Sequence, residues 1–208
     1  LRGGRALLAS LAASLPFIVG MAIPVAQLVR WAVASTADPR WMTLAGSTLS
    51  SLAMALAAAA VCIAGGIVFA YIQRLAPRSL AARSSQTSYF GHAVPGGVVA
   101  VGLMALFGAL TALARLVFPG APPILVGSTA GLVIGYFIRY VGVTARPLES
   151  AFGQIVDDQD AAGRSLGAGP LGTLLRVDLP IIAPTVLSAG LLVALDVIKE
   201  LPLTLVLR

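Results

Sequence analysis

The 208-residue sequence is 58% hydrophobic and only 11% charged, far below the roughly 25% charged content of a soluble domain, which excludes water as its main solvent. The net charge of +6 could suggest nucleic acid, but the arginines stand singly among apolar runs rather than on a polar, aromatic-interleaved face, so no nucleic-acid partner is expected. Cys62, the only cysteine, lies in an apolar run; this excludes a disulfide framework and a thiolate metal site, and Cys62 reads as a small packing residue.

Crossing about 30 Å of hydrocarbon takes about 20 helical residues. Apolar runs of that order predict five membrane helices, over residues 8–34, 45–72, 93–117, 125–146 and 181–206. The class expected is all-α, a polytopic transmembrane helical bundle in a lipid bilayer. The first run follows Arg2 and Arg5 but is too long for the apolar core of a signal peptide and lacks a small-residue cleavage site, so it is read as a retained span. Pro16, Pro24 and Pro95 fall inside or at the start of runs; kinks are expected there, tolerated where neighbouring helices satisfy the freed carbonyls. Small residues crowd the second run, from Gly46 through Ala57–Ala60 to Gly65 and Gly66, and the third, from Gly96 and Gly97 to Gly108. Close helix approach is predicted at both. The chain starts at Leu1 and stops at Arg208, a few residues after an apolar run, and reads as a fragment of something longer.

The arginines orient the runs. Arg2 and Arg5 precede the first, Arg74, Arg78 and Arg83 separate the second from the third, and Arg146, Arg164 and Arg176 lie between the fourth and fifth. Only Arg40 and Arg115 fall on the other side. The positive-inside rule then places the N-terminus, residues 73–88 and residues 147–180 in the cytoplasm, and residues 35–44 outside. The 147–180 connection holds Glu149, Asp157, Asp158, Asp160, Arg164, Arg176 and Asp178, and a connection of that length inside a compact bundle usually has a function.

Catalytic chemistry is not expected. The one lysine, Lys199, follows Val193-Ala194-Leu195-Asp196-Val197-Ile198, with none of the glycines a phosphate-cradling Walker loop needs. His92 is the only histidine, and no carboxylate or cysteine cluster nearby completes a metal site or a hydrolytic triad. It reads as structural or interfacial, beside the Tyr89-Phe90 pair.

One pattern stands out in the long connection. Ala161-Ala162-Gly163 is followed after three residues by Gly167, after nine more by Val177, and after one more by Leu179-Pro180. Breaks at Gly167 and at Gly169-Pro170, with Leu171, Leu174 and Leu175 at helical spacing, predict a compact knob able to dock in a partner's groove. The spacing resembles the EAA loop of binding-protein-dependent ABC importer permeases: Glu-Ala-Ala, three residues, Gly, nine residues, Ile, one residue, Leu-Pro. The departures are Ala161 at the glutamate position, with Asp160 just before it, and Gly163 for the second alanine. The resemblance implies that residues 147–180 carry the coupling helix that receives the motion of a partner ATPase. An amphipathic loop lying on the bilayer is the alternative, and it leaves the glycine and Leu-Pro spacing unexplained.

Charges in the last run narrow the resemblance. Asp196, Lys199 and Glu200 fall at i, i+3 and i+4 of one helix face, and ionisable residues inside a membrane are costly enough to be functional candidates. Arg139 lies midway along the fourth run and Asp196 midway along the fifth, so an ion pair between them is expected, with Lys199 as the competing partner of Asp196. Glu200 is either pore-facing or solvated at the far interface. The run Asp196 to Pro202, Asp-x-x-Lys-Glu-Leu-Pro, is similar to the span after the EAA loop in ferric-iron importer permeases. In that family another span follows, so the resemblance implies a type I ABC importer permease fold, the second half of a fused two-part permease, with its final span missing here.

What the resemblance implies is a transport subunit of the bacterial inner membrane, not an enzyme, that binds no cofactor of its own. ATP and Mg would sit on a partner pair of ABC ATPase subunits, and the other partners would be an extracytoplasmic solute-binding protein and a second permease half. Ferric iron is the implied cargo, with thiamine, polyamines and phosphonates as alternatives within the superfamily. A secondary transporter driven by an ion gradient through paired charges such as Arg139 and Asp196, and a noncatalytic membrane scaffold, are the readings from other classes.

Overall fold

A computed structural model describes residues 3–34, 41–156, 159, 161, 163, 165 and 167–207. All regular structure among them is helical, with no strand. Among the described residues four helical stretches are long and apolar enough to cross a membrane: Leu8–Ala34, Thr43–Leu75, Gly96–Val117 and Pro170–Lys199. The chain is an all-α, polytopic membrane bundle and forms two compact units, Leu1–Thr48 and Leu49–Arg208.

In the first unit α1 (Gly4–Phe17) passes through a π-helical turn (Ile18–Ala22) into α2 (Ile23–Ala34). The Ile23 amide donates to the Ile18 carbonyl, five residues back, immediately before Pro24. Proline has no N–H and crowds the carbonyl four residues earlier, and one wide turn relieves that contact while keeping the helix continuous. No residue of α2 is buried, which leaves an apolar surface for lipid or another helix.

The second unit takes in α3 (Trp41–Leu75) from Leu49 onward, α4 (Leu80–Ser85), a 3₁₀ segment (Gln86–Ala93), α5 (Gly96–Val117) and α6 (Thr129–Phe152). A short α7 (Pro170–Thr173), a second π-helical turn (Leu174–Asp178), α8 (Leu179–Lys199) and α9 (Leu201–Leu207) complete it. The second π turn has the same cause as the first: Leu179 donates to Leu174, and Pro180 follows.

Helix α6 is the centre of this unit, packed by the 3₁₀ segment, α8, α5 and α9. It corresponds to the expected fourth span, 125–146, but it is not among the helices apolar enough to cross a membrane unaided. Five spans were expected and four meet that criterion. The reason is position: α6 meets protein on most sides, so it can carry Tyr136, Arg139, Tyr140 and Thr144 where a lipid-facing helix could not. The Thr144 hydroxyl donates to the Cys62 carbonyl at 2.7 Å, and a Cβ on Gly142 would come 2.7 Å from the Ser88 carbonyl oxygen. Such close backbone approach is what small residues permit.

Gly65, Gly66 and Gly96 lie at packed contacts as expected, whereas Gly46, Gly97 and Gly108 have open space where a Cβ would be. Pro95 does not kink a helix but caps α5 at its start. The expected fifth span, 181–206, is also redrawn. The helix begins earlier, at Pro170, and is interrupted at Glu200, whose backbone (φ −82, ψ 90) leaves the helical region. Pro202 accounts for the interruption, since it could neither donate to the carbonyl of Ile198 nor sit beside it in a continuous helix. The 147–180 connection is shorter than expected, because α6 continues through Pro147 to Phe152 and α7 resumes at Pro170.

Candidate functional site

The break at Glu200 builds a buried charge cluster. Arg139 reaches it from the middle of α6: its Nε lies 3.2 Å from Glu200 Oε2 and donates to the Tyr140 hydroxyl at 3.2 Å. The Tyr140 hydroxyl in turn donates to Glu200 Oε2 at 2.7 Å. A terminal guanidinium nitrogen of Arg139 donates to the Val94 carbonyl, and the guanidinium carbon lies 5.4 Å from the centre of the Tyr140 ring. One arginine therefore ties the segment before α5, α6 itself and the α8–α9 break together. Glu200 is 8% exposed. Its second oxygen, Oε1, packs against Gly96 and has no hydrogen-bond partner among the described residues.

This corrects the expected ion pair: the carboxylate that Arg139 meets is Glu200, not Asp196. Asp196 is half-buried and Lys199 exposed, and among the described residues neither forms an ion pair. Because Glu200 follows the last helical residue, its side chain no longer shares the α8 face that the i, i+3, i+4 spacing assigned to all three charges. Pro202, in the first turn of α9, sets the break but does not itself enter the cluster.

Beside the cluster lies a cavity of about 360 Å³. Ser50 and Ser51 of α3, Ser128 and Thr129 at the start of α6, Tyr136 two turns on, and Glu200 and Thr204 supply its polar lining. Among the described residues lining it there is no arginine, lysine or histidine. The Tyr136 and Thr204 hydroxyls share a hydrogen bond of 2.6 Å, and Thr204 also donates to the Glu200 carbonyl. Ser128 caps α6 by accepting from the Gly131 amide at 3.0 Å. Tyr136, Tyr140 and the serines and threonines were not singled out from sequence; the Tyr-x-x-Arg-Tyr spacing around Arg139 was the available signal.

The residues of the expected coupling segment lie at the other end of α6. Asp160 and Ala162 are outside the described residues. Ala161 is exposed and Gly163 is buried, with the Thr173 side chain 3.4 Å from where a Cβ would be. The Ala168 amide donates to the Gly163 carbonyl at 3.1 Å, and Gly167 has φ +81. That is the Schellman ending of a helix, in which a left-handed glycine lets the following amide reach back to an orphan carbonyl. Pro170 then opens α7, with the Tyr71 hydroxyl donating to its carbonyl at 2.8 Å.

The three leucines do not share one face, as helical spacing had suggested. Leu174 is 8% exposed and packs with Ala70, Leu148, Phe152 and Ile182, while Leu171 and Leu175 are 65% and 55% exposed. Leu171 and Leu175, four residues apart, stay on the exposed side, and Leu174 turns inward. Val177 and Leu179 are half-buried and Pro180 is exposed. Nearby, Arg74 donates to the Phe152 carbonyl at 2.9 Å. Tyr89 donates to Glu149, and burial first, with that carboxylate second, pushes its phenol above the ordinary value, so Tyr89 remains the donor.

No family model matches the chain. A stretch of 76 residues is 36% identical to the Fe(3+)-transport system permease protein FbpB 2 of Haemophilus influenzae. The match covers 36% of this chain and 15% of that protein, so the chain spans only a small part of the relative's length.

Proposed function

We propose that the chain is part of the permease of an ATP-driven ABC importer, and that its cargo is ferric iron. The observation that carries this reading is the Gly167 to Pro180 spacing together with its local form. A helix stops at a left-handed glycine, a proline opens a second helix, and that helix runs on into a membrane span. A push on Leu171 or Leu175 from the cytoplasm would be transmitted along Pro170–Lys199 to Glu200 without an intervening loop. The similarity to a ferric-iron transport permease supports both the transporter class and the cargo.

In this reading a pair of ABC ATPase subunits carries ATP and Mg, an extracytoplasmic binding protein delivers the cargo, and a second permease half completes the path across a bacterial inner membrane. The N-terminus is cytoplasmic. The test is reconstitution of the permease with its ATPase and binding protein in proteoliposomes. ATP-dependent ferric uptake that requires the binding protein is expected. Uptake driven by an imposed ion gradient without ATP would overturn the reading in favour of a secondary transporter.

A further inference from the structure

From the charges that α8 leaves on the surface of the bundle we infer that this helix face seats the same face of a second copy of the chain, across a two-fold axis along the membrane normal, with Asp196 of each copy paired to Lys199 of the other. The inference rests on the permease reading above for its need of a second half, and it identifies that half as a copy and the surface on which the two meet.

Lys199 lies deep in the bundle. It adjoins Glu200, which meets Arg139, and Arg139 stands about 15 Å from the Thr129 end and about 20 Å from the Phe152 end of α6 at 1.5 Å per residue. Lys199 is nevertheless exposed, and Asp196, one turn before it, is half-buried. The neighbouring carboxylate, Glu200, is committed to Arg139 and Tyr140 and turned inward against Gly96. An unpaired charge at this depth is unfavourable against lipid, and the four-carbon stem of a lysine is too short to carry its ammonium from mid-membrane to an interface. This face of α8 must therefore meet protein or water.

The sequence of the face points to its occupant. Val193, Ala194 and Val197 are buried on one side of α8. On the other, Ser188, Leu192, Leu195 and Lys199 recur at i, i+4, i+7 and i+11, all exposed, with Asp196 at the edge of the same stripe. Copies inserted in one orientation bring this stripe together in parallel, each residue at the depth of its counterpart. Asp196 and Lys199 of opposite copies then differ in depth by about 4.5 Å, three residues of rise, which an extended lysine spans. The two-fold makes the contact twice, so both lysines and both aspartates are paired. A face with the lysine alone would repel itself; the aspartate one turn away makes it self-complementary. A partner of any other sequence would have to bring a carboxylate and an ammonium at those two depths, and this chain already carries both at the spacing required.

The test is disulfide cross-linking of the full chain in phosphatidylcholine proteoliposomes, in a Cys62→Ala background. Leu192→Cys should cross-link copy to copy, whereas Leu113→Cys, exposed on α5, should not. Added to Leu192→Cys, Asp196→Lys leaves only ammonium groups on the face and Lys199→Asp only carboxylates. Each of these chains alone should lose cross-linking by about tenfold or more, the scale of a lost charged contact. Mixed in one membrane, the two should cross-link with each other at close to the original yield. Neither side chain belongs to the core of the unit, so the variants should insert and fold, and recovery in the mixture separates pairing from a folding fault, which a second faulty chain would not repair. Undiminished cross-linking by Asp196→Lys alone, or no recovery in the mixture, overturns the inference. So does a Leu192→Cys chain that reacts with an impermeant maleimide without cross-linking, which makes the face the wall of a watery path, or one that does neither, which leaves the face to lipid or to another helix of the same chain. ATP-dependent uptake by a chain without charge-dependent pairing sinks this inference alone. Charge-dependent pairing in a chain that no ATPase energises sinks the permease reading instead.

Discussion

Gly96 sets how near the start of α5 can come to the Glu200 carboxylate. A methyl group there would collide with Oε1 and stand 3.4 Å from the Arg139 guanidinium carbon, so Gly96→Ala should destabilise by about 1–3 kcal/mol. Thermal unfolding in detergent would read this, and Glu200→Ala in the same chain should relieve most of it. The ion pair gives a sharper contrast. Removing one partner of a buried pair costs about 3–5 kcal/mol, because the other charge is left alone. Arg139→Gln should therefore be severe and largely recovered by adding Glu200→Gln, whereas Asp196→Asn should fall within about 1 kcal/mol of the unsubstituted chain. If Asp196→Asn, rather than Glu200→Gln, rescues Arg139→Gln, the pairing described above is wrong. At Gly167 the left-handed backbone costs any other residue about 1–2 kcal/mol, yet nothing lies within 4 Å of an added Cβ. Gly167→Trp should insert and fold, and the loss should be in transport per ATP hydrolysed; unimpaired coupling would remove Gly167 from the coupling role. Sequence placed Arg139 opposite a carboxylate but selected Asp196, because depth along a straight helix is what spacing reports. The choice between Asp196 and Glu200 depends on where the helix ends.

Between α8 and α9, Pro202 is the residue that decides the course of the chain. Replacing it with alanine restores a backbone donor and removes the ring, so Pro202→Ala should let α8 continue and carry Glu200 away from Arg139. Spin labels at the exposed Leu187 and Leu205 would then separate toward the straight-helix value of about 27 Å at 1.5 Å per residue. An unchanged distance would mean that packing of Leu203 and Leu207, both buried, holds the break without the proline. Elements of this kind were unevenly legible. The 8–34 run matches the Leu8–Ala34 span, and 45–72 and 93–117 fall within a few residues of Thr43–Leu75 and Gly96–Val117, because hydrocarbon selects long apolar runs whatever their neighbours do. The 3₁₀ segment Gln86–Ala93 and the π turns were not readable. They are answers to local contacts, glycine against backbone and proline against carbonyl, that leave no periodic trace.

The arginine asymmetry across the whole chain makes a prediction that no single element makes. Cysteines introduced at Ser79 and Ala37, with Cys62 replaced by alanine, should react with an impermeant thiol reagent from opposite sides of the membrane; labelling from one side would reject the orientation. The central place of α6 raises a question of timing. During synthesis α6 reaches the membrane carrying Arg139, whose insertion at mid-bilayer costs about 2.5–3.5 kcal/mol. Its counter-ion lies roughly 60 residues downstream and emerges about 3–12 s later at 5–20 residues per second. For that interval the helix that organises the bundle has no electrostatic partner, so it must wait in the insertion machinery or against α5 until the last span arrives. Assembly is thereby ordered from the ribosome: a chain stalled before Glu200 should leave α6 poorly inserted, and Arg139→Leu should free it from the wait.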